Sequence, residues 1–214
     1  QRSMSEDTME RIHEASGRPP DTRATSGYRY APISAFPVYG RLHFTAHESE
    51  DVTEKLIADY RKLYFFSSSI PEAYVSFCAD FGPNNICDIL EFSAFLQNLV
   101  HHPALNNRAL IYYTSTDEQH ITNSVFLLCC YLMLEEDFTP ERAVAQFEAI
   151  AGLPLIPFRD ATWMETSSHI SLLDCLRGLQ RAISFRFMTP KTFRVAEFLA
   201  THRADSYDLS RVSP

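Results

Sequence analysis

The chain has 214 residues, 45% of them hydrophobic, which is enough for one well-buried core with some length to spare. Its 19 basic and 27 acidic residues give a net charge of −8, which argues against a nucleic-acid backbone or an anionic membrane as partner. Five cysteines, an odd number without C-x-x-C spacing, and no signal-like apolar opening read as reduced thiols of a cytoplasmic protein; the most apolar run, Val125 to Leu134, is too short to cross a bilayer.

Residues 1–38 mix Ser, Thr, Arg, Gly and the prolines Pro19 and Pro20 with almost no hydrophobic periodicity, and read as an extended tail. Such a tail gains order by lying on a partner or by folding back along its own domain. The folded unit is expected over 39–214. Leu42-His43-Phe44 and Leu63-Tyr64-Phe65-Phe66 read as strands flanking a helix in which Val52, Leu56, Ile57 and Tyr60 share a face. A second helix is expected to open at Pro83, whose missing N–H costs nothing at a first helical position. Ile86, Ile89, Leu90, Leu96 and Val100 form its buried side.

Ala109 to Tyr113 is a continuous apolar run of the kind that makes a central strand covered on both faces. After a polar loop, Ser124 to Leu134 is apolar nearly all round, as in a helix packed deep against a sheet. Thr139-Pro140-Glu141 is a helix start with a hydroxyl cap, a first-turn proline and a carboxylate at the positive end of the dipole. The same start recurs at Thr189-Pro190, and between them Leu172, Leu176, Leu179 and Ile183 stripe a helix from Ser168 to Phe185. Strands alternating with helices predict an α/β fold with a mostly parallel central sheet flanked by helices.

Three stretches imitate known chemistry. Cys175 to Arg181 satisfies the C-x-x-G-x-x-R spacing of a cysteine-phosphatase loop, but such a loop must join a strand to a helix N-terminus so that free N–H groups can hold phosphate. Here it falls inside a predicted helix, whose amides are already bonded, and Cys175 reads as a core thiol. Asp80-Phe81-Gly82 copies a kinase triplet without a glycine-rich loop or H-R-D motif, and reads as a turn before a helix. The histidines, including the pair His101-His102, show no ligand spacing for a metal, and no cofactor is expected. There is no G-x-S-x-G elbow for serine chemistry either.

From Tyr74 to Pro83 the chain closely resembles the N-terminal half of the mitotic-exit protein phosphatases, the cell-division-cycle-fourteen family. Further resemblances keep the same order: Gly40 to Phe44, the proline-bounded Leu155 to Ala161 with Phe158, Arg159 and Asp160, Leu173 to Gly178, and Thr192-Phe193. The resemblance implies a domain folded like a dual-specificity phosphatase that carries no catalytic cysteine, serves recognition and scaffolding, and is followed in the family by a catalytic domain. It also implies that this chain stops at the linker before that domain. In the family the segment after the Thr-Phe pair is rich in glutamates that help make an acidic groove for basic substrate residues; Glu197 to His202 keeps one of them.

The resemblance further locates a degenerate phosphate loop between the Ile111–Tyr113 strand and the apolar helix, with Asp117 near the nucleophile position and Asn123 near the arginine position. An aspartate there would repel a phosphate dianion. No cysteine occurs anywhere from Tyr113 to Phe126. Together these features predict a catalytically inactive, phosphatase-like scaffold, bound to protein partners, with a cytoskeletal or ciliary assembly contacted through the tail as one form. The alternative is the substrate-recognition half of an active dual-specificity phosphatase whose catalytic domain lies elsewhere.

Overall fold

The structure, a computed structural model of the chain, describes residues 29–30, 33–47, 62–150, 152–189 and 191–201. Both the expected helix through Val52 to Tyr60 and most of the expected tail lie outside these residues. A short antiparallel pair, β1 (Arg29–Tyr30) and β2 (Ile33–Ser34), precedes the main sheet. Strand β3 (Phe36–Tyr39) turns at Gly40, whose φ of +54° suits a residue without a Cβ, and pairs antiparallel with β4 (Leu42–Ala46). The sheet therefore begins inside the stretch expected to be tail.

Strands β5 (Leu63–Phe66) and β6 (Ala109–Thr114) complete a sheet of order β3-β4-β6-β5, in which β6 runs parallel to both neighbours. The apolar run read as a central strand is therefore central. Its alternation divides the core. Leu110 and Tyr112 face the helices together with Leu42 and Phe44, whereas Ile111 packs with Leu63 and Phe65 on the opposite face.

Helix α1 (Ile86–Val100) starts three residues after Pro83, a correction to the expected start. Asn85 closes a capping box there, accepting from the amides of Cys87 and Asp88 while Asp88 accepts from the Asn85 amide; Pro83 follows a cis bond in the preceding loop. Its C-terminal turn is tied to the sheet by Arg41, whose guanidinium donates to the carbonyls of Val100, Leu105 and Arg108.

Helix α2 (Glu118–Glu135) is the hub, and every residue from Ile121 to Leu132 is buried. It begins six residues before the Ser124 start expected from apolarity. Helix α3 (Pro140–Glu148) begins as expected, with Thr139 accepting from the Arg142 amide and Pro140 in the first turn. Helix α4 (Leu172–Ser184) buries Leu172, Leu176 and Leu179, and starts later than Ser168 because β7 (Phe158–Arg159) pairs with β8 (His169–Ile170) and Ser171 forms a capping box with Asp174. Helix α5 (Val195–Thr201) does not open at Thr189-Pro190. The Thr189 carbonyl closes a turn by accepting from the amides of Thr192 and Phe193, and the helix begins beyond it.

Helices α1, α3 and α4 pack on α2, and an aromatic cluster locks α1 and α3 to the sheet. The Tyr112 ring lies 5.5 Å from Phe92 and 5.4 Å from Phe66, and Phe44 meets Phe147 at 6.0 Å. Each such buried ring contributes roughly 1.5–3 kcal/mol of burial energy.

Candidate functional site

In open α/β sheets, ligand sites gather beyond the carboxyl ends of the parallel strands. Here that edge is formed by the ends of β4, β5 and β6 and by the first two turns of α2. The connection from Thr114 to Glu118 contains only Ser115, Thr116 and Asp117. That is too short for a loop of C-x-x-G-x-x-R length. Asp117 is the N-cap of α2, and its carboxylate accepts from the amides of Gln119 at 2.9 Å and His120 at 3.0 Å. These are first-turn amides that would hold an anion, and the chain supplies its own carboxylate to them. Ser115 Oγ lies 2.9 Å from His120 Nδ1. No carboxylate completes that pair into a triad among the described residues, because Asp117 is committed to the cap.

Asn123 is not in a loop. It lies inside α2, 1% exposed, and donates through Nδ2 to the carbonyls of Phe81 at 2.6 Å and Pro71 at 3.3 Å. The residue expected near the arginine position thus stands as a buried clamp on the preceding loop. Its neighbour Thr122 clamps the other side, with its hydroxyl accepting from the Ile156 amide at 3.1 Å. Two adjacent polar side chains thus hold two separate loops over the sheet edge.

The first of these loops carries Asp80-Phe81-Gly82-Pro83, which is the turn before a helix that the sequence indicates. Asp80, 6% exposed, accepts from the Tyr74 hydroxyl at 2.6 Å and from the amides of Cys78 at 2.7 Å and Phe77 at 3.0 Å. Burial alone would raise this carboxyl, but the Tyr74, Cys78 and Phe77 bonds outweigh it and hold Asp80 below the usual carboxylate range. Phe81 packs 5.2 Å from Phe158, which in turn meets Phe126 at 5.9 Å. The second loop is stiffened from inside, since Arg159 donates to the carbonyls of Thr162 and Met164, while Asp160 accepts from Thr166 and Ser167. It presents Trp163 and Met164 to solvent.

Because Asp80 is held ionised in the fold, the unfolded chain binds more protons over the interval between the two pKa values. Its contribution is present above the ordinary aspartate pKa of about 4 and is lost as pH falls through the folded value. Asp80→Asn should cost about 1–2 kcal/mol at neutral pH and flatten the acid limb of stability. Thermal melts of both proteins across that range measure the difference.

The phosphatase-like spacing at Cys175 to Arg181 lies wholly within α4, as read. Positions six apart on a helix lie about two-thirds of a turn round from one another. Cys175 packs against the core, and burial, with Asp174 beside it, pushes its thiol up to about 11. Arg181 is exposed and stacks on Phe185 at 5.3 Å. Burial likewise raises Cys87, Cys129 and Cys130. A nucleophilic thiolate needs the opposite shift.

The arrangement is that of an α/β domain whose strand–helix junction is closed by a carboxylate and roofed by two clamped loops. Residues 37–182 match the family model described as the N-terminal half of dual specificity protein phosphatases, and the chain belongs to that family. Similar curated proteins are the dual specificity protein phosphatase CDC14A of Homo sapiens, 28% identical over 151 residues, and the tyrosine-protein phosphatase CDC14 homolog of Schizosaccharomyces pombe, 29% identical over 157. The tyrosine-protein phosphatase CDC14 of Saccharomyces cerevisiae is 28% identical over 156 residues. The matched regions are 71%, 72% and 73% of this chain but only 25%, 29% and 28% of those relatives. The family resemblance read from the motifs is thereby borne out, and the chain spans roughly a quarter of its relatives' length.

Proposed function

We propose that this is a catalytically silent phosphatase-like domain that works by binding proteins. The observation that carries this reading is Asp117, a carboxylate bonded to the first-turn amides of α2 on a junction without cysteine. The raised thiol of Cys175, inside a helix, supports it further. Protein partners, including a cytoskeletal or ciliary assembly engaged through residues 1–38, fit a domain whose ordered loops expose apolar tips; the free thiols fit a cytoplasmic location.

A second reading rests on the relatives, whose names describe phosphatases of which this chain matches about a quarter. It makes the domain the substrate-recognition half of an active dual-specificity enzyme. The full chain should show no turnover of p-nitrophenyl phosphate or phosphopeptides above background, and Cys175→Ser should leave that background unchanged. Turnover lost in Cys175→Ser would overturn the proposal. Turnover that appears only when a separately made catalytic domain is added would favour the second reading.

A further inference from the structure

We propose that the C-terminal end of α4 and the turn after it form a docking surface for an acidic segment of a partner protein that carries aromatic or leucine side chains. Between Asp174 and Glu197 the sequence has five cations, Arg177, Arg181, Arg186, Lys191 and Arg194, and no carboxylate, in a chain whose net charge is −8. Arg177 is paired with Glu141 and Arg194 with Glu197. Arg181, Arg186 and Lys191 are exposed and, among the described residues, have no carboxylate partner. This is the reverse of the charge balance over the rest of the molecule.

The same turn displays aromatic surface by construction. Arg186 takes a left-handed φ of +60°, and the amides of Phe187 and Met188 both donate to the Ala182 carbonyl, at 2.9 and 3.3 Å. Met188, 1% exposed, is driven into the core, and this anchors the turn while Phe185 and Phe187 stand 58% and 83% exposed. Their rings lie 6.1 Å apart. Phe187 lines two open grooves, one shared with Gly178 and Ala182, the other with Thr192 and Phe193. Aromatic anchors beside arginines without carboxylate partners, with Arg181 stacked on Phe185, are the composition of interaction hot spots.

Charge complementarity selects the occupant. A short acidic segment meets the cations of the turn and leaves the acidic remainder of the chain untouched, while its apolar side chains fill the grooves beside Phe187. An extended anionic surface, such as a bilayer or a duplex, would bring the rest of a −8 protein against like charge. The proposal rests on the binding-module reading and names the partner chemistry for it.

The test is fluorescence anisotropy of the full chain with three labelled peptides: one alternating Asp and Glu with Phe and Leu, one of Asp and Glu without apolar residues, and one with the same apolar residues but lysine for each acid. The acidic-apolar peptide should bind tightest. Arg181→Glu with Lys191→Glu should weaken it about tenfold, as should raising salt well above the physiological range. Phe187→Ala should remove roughly fivefold, narrowing its advantage over the purely acidic peptide. All three positions are exposed, and circular dichroism checks the fold; should the glutamate pair unfold the chain, Arg181→Gln with Lys191→Gln carries the same test with a smaller loss. Equal affinity for the lysine peptide, indifference to these substitutions, or binding confined to phosphatidylserine vesicles, duplex DNA or a second copy of the chain would each overturn the proposal. Failure here leaves the turnover assay unchanged, and Cys175-dependent turnover would remove the module reading without altering any peptide affinity.

Discussion

Asn123→Ala is expected to destabilise the domain by about 2–4 kcal/mol, among the larger single-residue effects in the molecule. The Asn123 amide nitrogen donates to two carbonyls, of Phe81 and Pro71, within a site 1% exposed. Alanine leaves both carbonyls without that donor and opens a void where the amide sat. An apolar replacement of similar size, Asn123→Leu, fills the void but not the bonds, so most of the loss should remain. Denaturant unfolding of the three proteins separates the two contributions. If Leu restores stability, the clamp is a matter of volume and not of hydrogen bonding.

The second large effect is expected at Gly82. A Cβ there would stand 2.4 Å from Asn123 Oδ1 and 2.7 Å from Phe158 Cε1. Neither neighbour can move aside cheaply. Asn123 is fixed by its two bonds, and Phe158, 1% exposed, is wedged between the rings of Phe81 and Phe126. Gly82→Ala should therefore cost about 2–3 kcal/mol by overpacking. Because the added methyl presses on the amide that Asn123→Ala removes, the double variant should be more stable than the sum of the two losses predicts. Thermal or denaturant melts of the full cycle measure that coupling; strict additivity would contradict the packing described.

These two residues also mark where the sequence is legible. Period and composition identify β4, β5, β6 and α3, because Ala109–Tyr113 has no polar face and Thr139-Pro140 is an unambiguous start. They misplace the start of α2, since Glu118 to Asn123 is polar except for Ile121 and polarity normally means solvent. In the fold Thr122 and Asn123 are buried and turn their polarity inward, to loops that come from elsewhere in the chain. Tertiary hydrogen bonds of this kind leave no periodic trace. Asp117, expected near the nucleophile position of a degenerate loop, stands in the structure as the N-cap of α2; an Asp followed by Glu118 is also a plain N-cap pattern, and that local signal is the one the structure uses. The late starts of α1 and α4 have the same origin, in capping boxes at Asn85 and Ser171 that outrank a proline or a serine further upstream. The exposed rings of Phe185 and Phe187 could have been noticed from the interleaved cations around them.

The short junction from Thr114 to Glu118 sets a limit on what a single mutation can build there. Installing a cysteine at Ser115 would supply a sulfur but no cradle, because the amides of Gln119 and His120 answer to Asp117 and the space above is roofed by loops tied to Thr122 and Asn123. Freeing the amides removes the helix cap, and lengthening the junction pulls on both clamps at once. The groups that hold this domain together stand where a phosphate cradle would need uncommitted donors, so a single substitution at this junction does not build one.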